Sequence, residues 1–426
     1  MKSVLFFIIF FFYTGSIFAQ PYITGGKTRH RFAQLNIGVD DRIFLNYASE
    51  SSTINSSGTI EKNKLKTQNE IRIILGGTHF WGHVDFYVAF PVASFGNSGF
   101  STKIETGAKY FPWKIESGKI RPYIGLAILT AQFKQDNDAS QIRNLYPITG
   151  GVVFNYKKHL FELGTGFIFN NQENYYISPA TSVQIKTQPF WISLSYKFMI
   201  DFTLPEEKDW LSGKTKKLTD SLTAKHLLDG LTIAIGPSAS FYLRSSPHNQ
   251  NIAPYIDNHK ISNIFPEFGL GYYLCKLNLQ FNFAYRSVKS KIAAYDFSQV
   301  VMRKALTFEI CKFIFDYNGF DPYIGPAVSY EWLNVSETNQ SGITTNQGWE
   351  GVKPGITVGW EIRPTKMMFL YLRSNLRYFP NLKVKMNDSK YVYLDQLEFD
   401  FFSCIFFSAK DWHEEISKVG LIQNHC

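Results

Sequence analysis

The chain is short of charge: Asp, Glu, Lys and Arg make up 19% of its 426 residues, against about 25% in ordinary soluble domains. It is also short of cysteine. There are four, Cys275, Cys311, Cys404 and Cys426, all in the second half. None forms a C-x-x-C pair, which leaves zinc-ribbon and thioredoxin-like chemistry without support. After the first twenty residues no apolar run reaches the ~20 residues of a membrane-crossing helix, so a helical membrane protein is excluded. H-E-x-x-H, the P-loop, G-x-S-x-G and a dinucleotide fingerprint in a fitting context are all missing, and no cofactor is expected. Aromatics, in contrast, are in excess: 39 Phe, 24 Tyr and 8 Trp amount to 17%, which excludes disorder. Mean hydropathy is still only −0.14. A chain that alternates apolar with polar residues satisfies both numbers.

The first residues, with Lys2, an apolar core from Val4 to Tyr13 and Ile17-Phe18-Ala19 before Gln20, read as a secretory signal peptide over 1–19. Export permits disulfides, but spacing does not pair the four cysteines, and free buried thiols are the plainer expectation. A net charge of +9 on an exported protein points to contact with anionic lipid or glycolipid rather than nucleic acid.

The sequence repeats itself. Arg121-Pro122-Tyr123-Ile124-Gly125 returns as Asp321-Pro322-Tyr323-Ile324-Gly325, Ile37-Gly38 as Ile235-Gly236, and Lys208-Asp209-Trp210 as Lys410-Asp411-Trp412. Three matches in one order at nearly one offset imply a unit written twice. Within each unit the period is two. Leu277, Leu279, Phe281, Phe283 and Tyr285 alternate with Asn278, Gln280, Asn282, Ala284 and Arg286. Eight such runs fall in each unit, near 33–47, 69–79, 82–93, 101–112, 120–134, 146–157, 159–170 and 187–202, then 231–245, 263–274, 276–288, 301–314, 320–333, 352–362, 367–379 and 393–407. They match the ~9–11 residues of a tilted membrane-spanning strand. Odd connections such as 48–68, 135–145 and 171–186 are mostly long and polar; even ones such as Lys157-Lys158 are short.

If the apolar face meets lipid, the other face must line a closed interior. The charged inward candidates are Asp40, Arg42, Glu70, Arg72, Glu105, Lys109 and Glu162 in the first unit, and Glu267, Glu309, Glu361, Arg373 and Arg377 in the second. Small inward residues such as Gly125, Ala127, Gly164, Gly166, Gly355 and Gly359 suit the crowded interior of an eight-stranded barrel.

With its signal peptide, Pro-Tyr-Ile-Gly strand openings, eight alternating strands per unit and a final strand rich in aromatics, the chain resembles the outer-membrane β-barrel domains of diderm bacteria. It looks most like the small eight-stranded kind common in Bacteroidota. The resemblance covers roughly 21–202 and 231–407 and implies an all-β, transmembrane, antiparallel up-and-down barrel. The chain departs from it in one respect, because each unit carries a tail after its final strand.

Sixteen strands can close as two tandem barrels of eight or as one barrel of 16. Residues 203–230 are far more than a hairpin needs, and Leu218, Leu222, Leu227 and Leu228 suggest a short amphipathic helix there. Two barrels are favoured. The expected organisation is a signal peptide (1–19), a first barrel (20–202), a periplasmic linker (203–230), a second barrel (231–407) and a periplasmic tail (408–426). The partners this resemblance implies are outer-membrane lipid and lipopolysaccharide, with the linker and tail as candidate contacts for other envelope proteins.

Three functions follow: a non-enzymatic barrel with an envelope-structural or surface role, a porin-like passive channel, or a lipid-modifying barrel enzyme. The last would draw on Ser245, Ser246, His248, Asp257 and His259, which must meet within hydrogen-bond reach; a polar loop is the plainer reading, and no catalytic residue is assigned. His79 and His83 flank a turn and read as interfacial residues rather than metal ligands. Trp81, Trp113, Trp191, Trp332 and Trp360, with Tyr110 and Phe111, are expected in an aromatic girdle. The basic loop 61–66 is expected to be solvated.

Overall fold

The computed structural model describes residues 34–407, apart from 46–48, 55–56, 58, 80–81, 97–99, 134–140, 170, 202–213, 257–264, 317–319, 340 and 363–369. The expected signal peptide, the tail, the first part of the linker (203–213) and the Lys-Asp-Trp repeats lie outside the described residues.

The first half contains β1 (Gln34–Phe44), the hairpin of β2 (Ser51–Ile54) and β3 (Ile60–Asn63), β4 (Gln68–His79), β5 (Val84–Phe95) and β6 (Phe100–Tyr110). It continues with β7 (Lys119–Phe133), the short β8 (Gln141–Leu145), β9 (Pro147–Tyr156) and β10 (His159–Ile168). The hairpin of β11 (Gln172–Ser178) and β12 (Thr181–Lys186) precedes β13 (Phe190–Asp201). Helix α1 (Lys214–Ala224) then leads to β14 (Gly230–Tyr242), followed by the six-residue α2 (Pro247–Ile252), β15 (Phe265–Leu274), β16 (Leu279–Ala294) and β17 (Phe297–Phe313). The remainder is β18 (Phe320–Thr338), β19 (Thr344–Ile362), β20 (Leu370–Phe379), the hairpin of β21 (Lys383–Lys385) and β22 (Tyr391–Tyr393), and β23 (Gln396–Phe407).

Two separate rings result. In the first, the order β6-β5-β4-β1-β13-β10-β9-β7 closes when β7 pairs back onto β6. The seam between first and last strands sets Val39 opposite Tyr196. In the second, β14-β15-β16-β17-β18-β19-β20-β23 is a closed barrel whose seam sets Ala239 opposite Phe399. Every neighbour pair is antiparallel. Sixteen strands therefore close as two rings of eight, and the single wide barrel is excluded.

Alternation decides which face each residue takes. On β13, Ile192, Leu194, Tyr196 and Phe198 are exposed while Ser193, Ser195 and Lys197 are buried. The same alternation overturns two expected members of the aromatic girdle. Trp191 and Phe111 share parity with the inward residues of their strands, and both are buried inside the first ring. Tyr110, Trp113 and Trp332 are exposed as expected. Trp360 is half-buried against Phe86 and Phe320, and Trp81 lies outside the described residues.

The expected long connection between 288 and 301 does not exist. β16 and β17 run on to a tight turn at Tyr295 and Asp296, both with positive φ (50° and 63°), as a type I′ turn requires. Outward Lys289 and Lys291 interrupt the apolar face without breaking the strand, because Ser290, Ile292 and Ala294 continue the inward one. β18 and β19 likewise extend to 338 and 344, beyond the expected 333 and 352. The other long connections are folded as well, since β2–β3, β8, β11–β12 and β21–β22 all lie at the same end of the rings.

The rings touch along their outer faces. Val88 and Ile104 of the first pack with Ala239 of the second, joined by Phe90, Phe241 and Phe399. At the loop end the Tyr295 hydroxyl donates to the Tyr176 carbonyl at 2.8 Å, and Tyr255 sits edge-on to both rings.

Both repeated glycines allow close approach of strands. A Cβ on Gly325 would lie 1.7 Å from the Ile310 carbonyl oxygen, which is backbone and cannot step aside. Gly325→Ala is therefore expected to destabilise the second ring by about 1–3 kcal/mol, the usual range for overpacking. Its urea unfolding midpoint in detergent should fall below that of the wild type, and an unchanged midpoint would contradict the packing described.

Candidate functional site

All twelve charged residues picked out as inward-facing are buried. In the first ring they fall into three groups along the barrel axis. At the loop end Gln68 and Thr102 donate to Glu70, at 2.6 and 2.5 Å. Arg42 pairs with Glu105 at 2.7 Å and stacks over Trp191, its guanidinium carbon 4.3 Å from the ring centre. Trp191 fits there because Gly166 beside it has no side chain; a Cβ would lie 2.0 Å from the indole. Arg72 bridges Glu105, at 3.2 Å, and Asp40. Deeper in, Glu162 receives Lys109, Lys197 at 3.2 Å and the Tyr123 hydroxyl at 2.7 Å. Lys197 also reaches Asp85 at 3.0 Å, and Asn36 donates to Asp85 at 2.9 Å.

The second ring is built on arginine. Arg377 is held by Glu309, by both oxygens of Glu267 (2.7 and 2.8 Å) and by Asp400 at 2.8 Å. Arg303 makes a two-pronged bond to Glu331, 2.7 Å on each side, and a 2.5 Å contact with Glu398. Glu398 also takes Arg286, while Arg373 donates to Glu361. Burying an ion costs several kcal/mol, and the attraction of its partner repays this only when the hydrogen bonds are satisfied. Such networks hold a register rather than supply large net stability. Asp85, Lys197, Arg286, Arg303, Glu331, Glu398 and Asp400 were absent from the sequence-based candidates, although each shares parity with one of them or with its strand's polar face.

Apolar clusters close each mouth above and below these networks. At the loop end of the first ring, β11–β12 lays Tyr175, Ile177 and Ile185 on Phe44, Phe133 and Trp191. At its turn end Phe111, Ile115 and Leu160 pack with Tyr123 and Met199. The loop end of the second ring holds Leu382, Val384, Met386, Val392 and Leu394 from the segment around β21–β22. Its turn end is stopped by the expected linker helix: Leu218 and Leu222 of α1, with Leu228, bury against Tyr273, Cys311, Phe313 and Tyr323. Cys275 and Cys311 are free thiols in that same cluster; the side chains of Cys404 and Cys426 lie outside the description.

The expected catalytic loop assembles differently. Ser246 accepts the Tyr393 backbone N–H at 3.0 Å. Both ring nitrogens of His248 are taken by carboxylates, Nε2 by Glu337 at 3.0 Å and Nδ1 by Asp388 at 2.9 Å. Gln299 donates to Glu337 at 2.7 Å and to Asn249 at 2.9 Å. An imidazole held on both sides cannot also activate the Ser246 hydroxyl. The group is a clasp that ties α2 to β17, β18 and the β21–β22 turn. Asp257 and His259 lie outside the described residues. His83 bonds the Phe111 carbonyl at 2.8 Å, and His79 lies against the Phe86 ring. Among the described residues no group of three His, Cys, Asp or Glu is placed to hold a metal. In the basic loop, Lys62 pairs with Glu50 at 2.8 Å.

A ring whose outer face is apolar and whose inner face is charged is solvated by lipid outside and by itself inside, and backbone closure leaves no edge within the hydrocarbon. The long connections mark the extracellular end and the short turns the periplasmic end. The protein is an outer-membrane β-barrel protein. No family model matches the chain, and no curated protein matches it. Among solved structures it is similar to the attachment invasion locus protein Ail of Yersinia pestis, at 9% identity and a TM-score of 0.28, over 42% of this chain and 97% of that one. It is also similar to the outer-membrane protein OmpT of Vibrio cholerae (8% identity, TM-score 0.17, 88% of this chain and 100% of that one). The beta domain of the Bordetella autotransporter BrkA gives 10% identity and a TM-score of 0.18, over 87% of this chain and 99% of that one. Identities this low carry no function across, and the fold stands on the strand register.

The clasp titrates. Burial opposes the charged form of His248, but the Glu337 and Asp388 carboxylates outweigh it and raise the imidazole above its ordinary 6.5. A raised histidine stabilises the clasp fully below that ordinary value and loses the contribution as pH rises through the raised one. Hydrogen exchange of the Tyr391–Tyr393 amides, corrected for intrinsic rate, should therefore quicken as pH rises above the ordinary 6.5. His248→Gln should be faster at the low end and flat across the range. A flat wild-type profile would contradict the assignment.

Proposed function

We propose that the protein is a non-enzymatic, non-conducting pair of barrels that fixes a folded extracellular platform in the outer membrane, in an envelope-structural or surface-interaction role. The observation that carries this is the closure of each ring at both ends by apolar clusters over an ion-paired interior. An eight-stranded ring has room for side chains and little else, and here the side chains occupy it. The porin-like alternative needs a continuous aqueous path, which wide barrels of 16 or more strands provide. The lipid-modifying alternative needs a nucleophile or base with a free lone pair, and the His248 clasp does not offer one.

The platform is preformed: β11–β12 and β21–β22 are packed hairpins, and β16–β19 project beyond the ring as one sheet. We also infer that the chain arose by duplication of one barrel unit. Tyr123 and Tyr323 both face inward from the fifth strand of their rings, and each has a cation over its ring, Lys109 at 4.9 Å and Arg373 at 5.6 Å.

Planar-bilayer recording tests the reading. The purified full-length protein should insert without steady conductance. Stable openings of nanosiemens size would overturn the filled-barrel proposal in favour of a channel.

A further inference from the structure

Within one chain the two rings meet through unlike faces. Val88 and Phe90 of β5 and Ile104 of β6 pack on Ala239 and Phe241 of β14 and Phe399 of β23. The third and fourth strands of the first ring thus meet the first and eighth of the second. A contact between unlike faces leaves one face of each kind unused at its two ends. Here those are the outward faces of β1–β13 on the first ring and of β16–β17 on the second.

The β1–β13 face carries one residue that lipid does not explain. Asp41 points outward and is exposed between Val39 and Ile43, opposite Leu194 of β13 and Ile71 of β4. Among the described residues it makes no ion pair and no side-chain hydrogen bond. At the climb of a strand tilted by about 45°, Leu194 and its neighbour Asp41 stand roughly 10 Å above Phe198 at the turn end, inside the ~25 Å apolar band. A carboxylate there faces hydrocarbon at a cost that grows with depth. Ionisable groups in such places mark contacts with a partner charge.

The β16–β17 face supplies a charge of the other sign. Lys304 points outward and is exposed, level with Trp332 and one rung above Leu306. Among the described residues it too makes no ion pair.

Corresponding positions in the two rings bring these charges to nearly one height. Ile37-Gly38 returns as Ile235-Gly236, so Asp41 holds in the first ring the place of Ala239 in the second. Val84–Phe90 on β5 matches Leu279–Tyr285 on β16 in its alternation, which sets Val88 against Phe283. Val88 lies opposite Thr106, and Phe283 opposite Phe308. One rung up, Ile104 therefore corresponds to Leu306. A second copy that repeats the internal junction places its Leu306 beside Asp41, with Lys304 about 5 Å higher along the tilted strand. The four-carbon stem of a lysine spans that step.

We propose that the β1–β13 face of one copy binds the β16–β17 face of a second copy in the plane of the membrane, with Asp41 paired to Lys304 of the second copy. Because the faces are unlike, the contact propagates head to tail into rows of rings unless its rotation closes them. This goes beyond the platform role and does not depend on whether the rings conduct.

The test uses full-length chains in phosphatidylcholine vesicles, one population carrying L194C and the other L306C. Both positions are exposed on the faces concerned. Mixed and mildly oxidised, they should give at least tenfold more linked dimer than a mixture of I124C and L306C chains, which reports chance collision from an outward position on β7. D41N in the L194C chain, or K304Q in the L306C chain, should bring linking down to the collision level. D41K should do the same, and K304D in the other chain should restore at least half of the original yield. Heat-dependent gel mobility reports whether each variant is folded, and the restored pair guards against loss by misfolding. Linking no better than chance collision, linking that survives D41N and K304Q, or failure of the charge exchange to restore it would each overturn the proposal.

Discussion

In hydrocarbon an unpaired backbone N–H or C=O costs several kcal/mol, so a sheet that crosses a membrane must close on itself. Here that requirement is met twice, at the β1–β13 seam and at the β14–β23 seam. Closing at eight strands rather than 16 fixes much else. A ring of eight leaves an interior one side chain deep from each wall, so inward charges on facing walls meet one another. Charges that would line a pore in a wider barrel must here neutralise one another, as Arg377 does with Glu267, Glu309 and Asp400. The interior glycines belong to the same constraint, because Trp191 and Arg42 can stack only where Gly166 has vacated the space.

The same economy explains the two ends. A short ring exposes its mouths to water, and an ion-paired interior open to water would exchange its internal bonds for hydration. Each mouth is instead covered by apolar side chains borrowed from a connection: β11–β12, the segment around β21–β22, the 111–118 turn and α1. The linker helix thus joins the two units and also stoppers the second. The outer faces do a third job. Val88, Ile104 and Ala239 exchange lipid for each other, and the Tyr176–Tyr255–Tyr295 contact continues the junction above the membrane.

Much of this was legible in the alternation of the sequence. The sixteen strands, the charged inward residues and the linker helix follow from a period of two and a leucine pattern. What the sequence concealed has physical causes. Trp191 and Phe111 looked like girdle residues because strand-end aromatics usually are, whereas their parity puts them inside. Lys289 and Lys291 resembled loop residues because an outward strand face above the membrane turns polar without ceasing to be a strand. The outer faces of Val88 and Ala239 read as lipid-facing because a neighbouring barrel and lipid demand the same side chains. The His248 clasp was hidden because Glu337 stands 89 residues away, and a loop histidine gives no local sign of a distant carboxylate.

Two separately closed rings are the claim on which the filled interiors, the stoppered mouths and the proposed lack of conductance all depend. Paired cysteines at the seams test it most directly. Val39 and Tyr196 lie opposite each other on the outward face of the first seam, so V39C/Y196C should cross-link in the membrane under mild oxidation. V39C/F399C, which would join β1 to β23 in a single barrel of 16 strands, should remain unlinked. Efficient linking of the second pair and none of the first would contradict the two-ring structure.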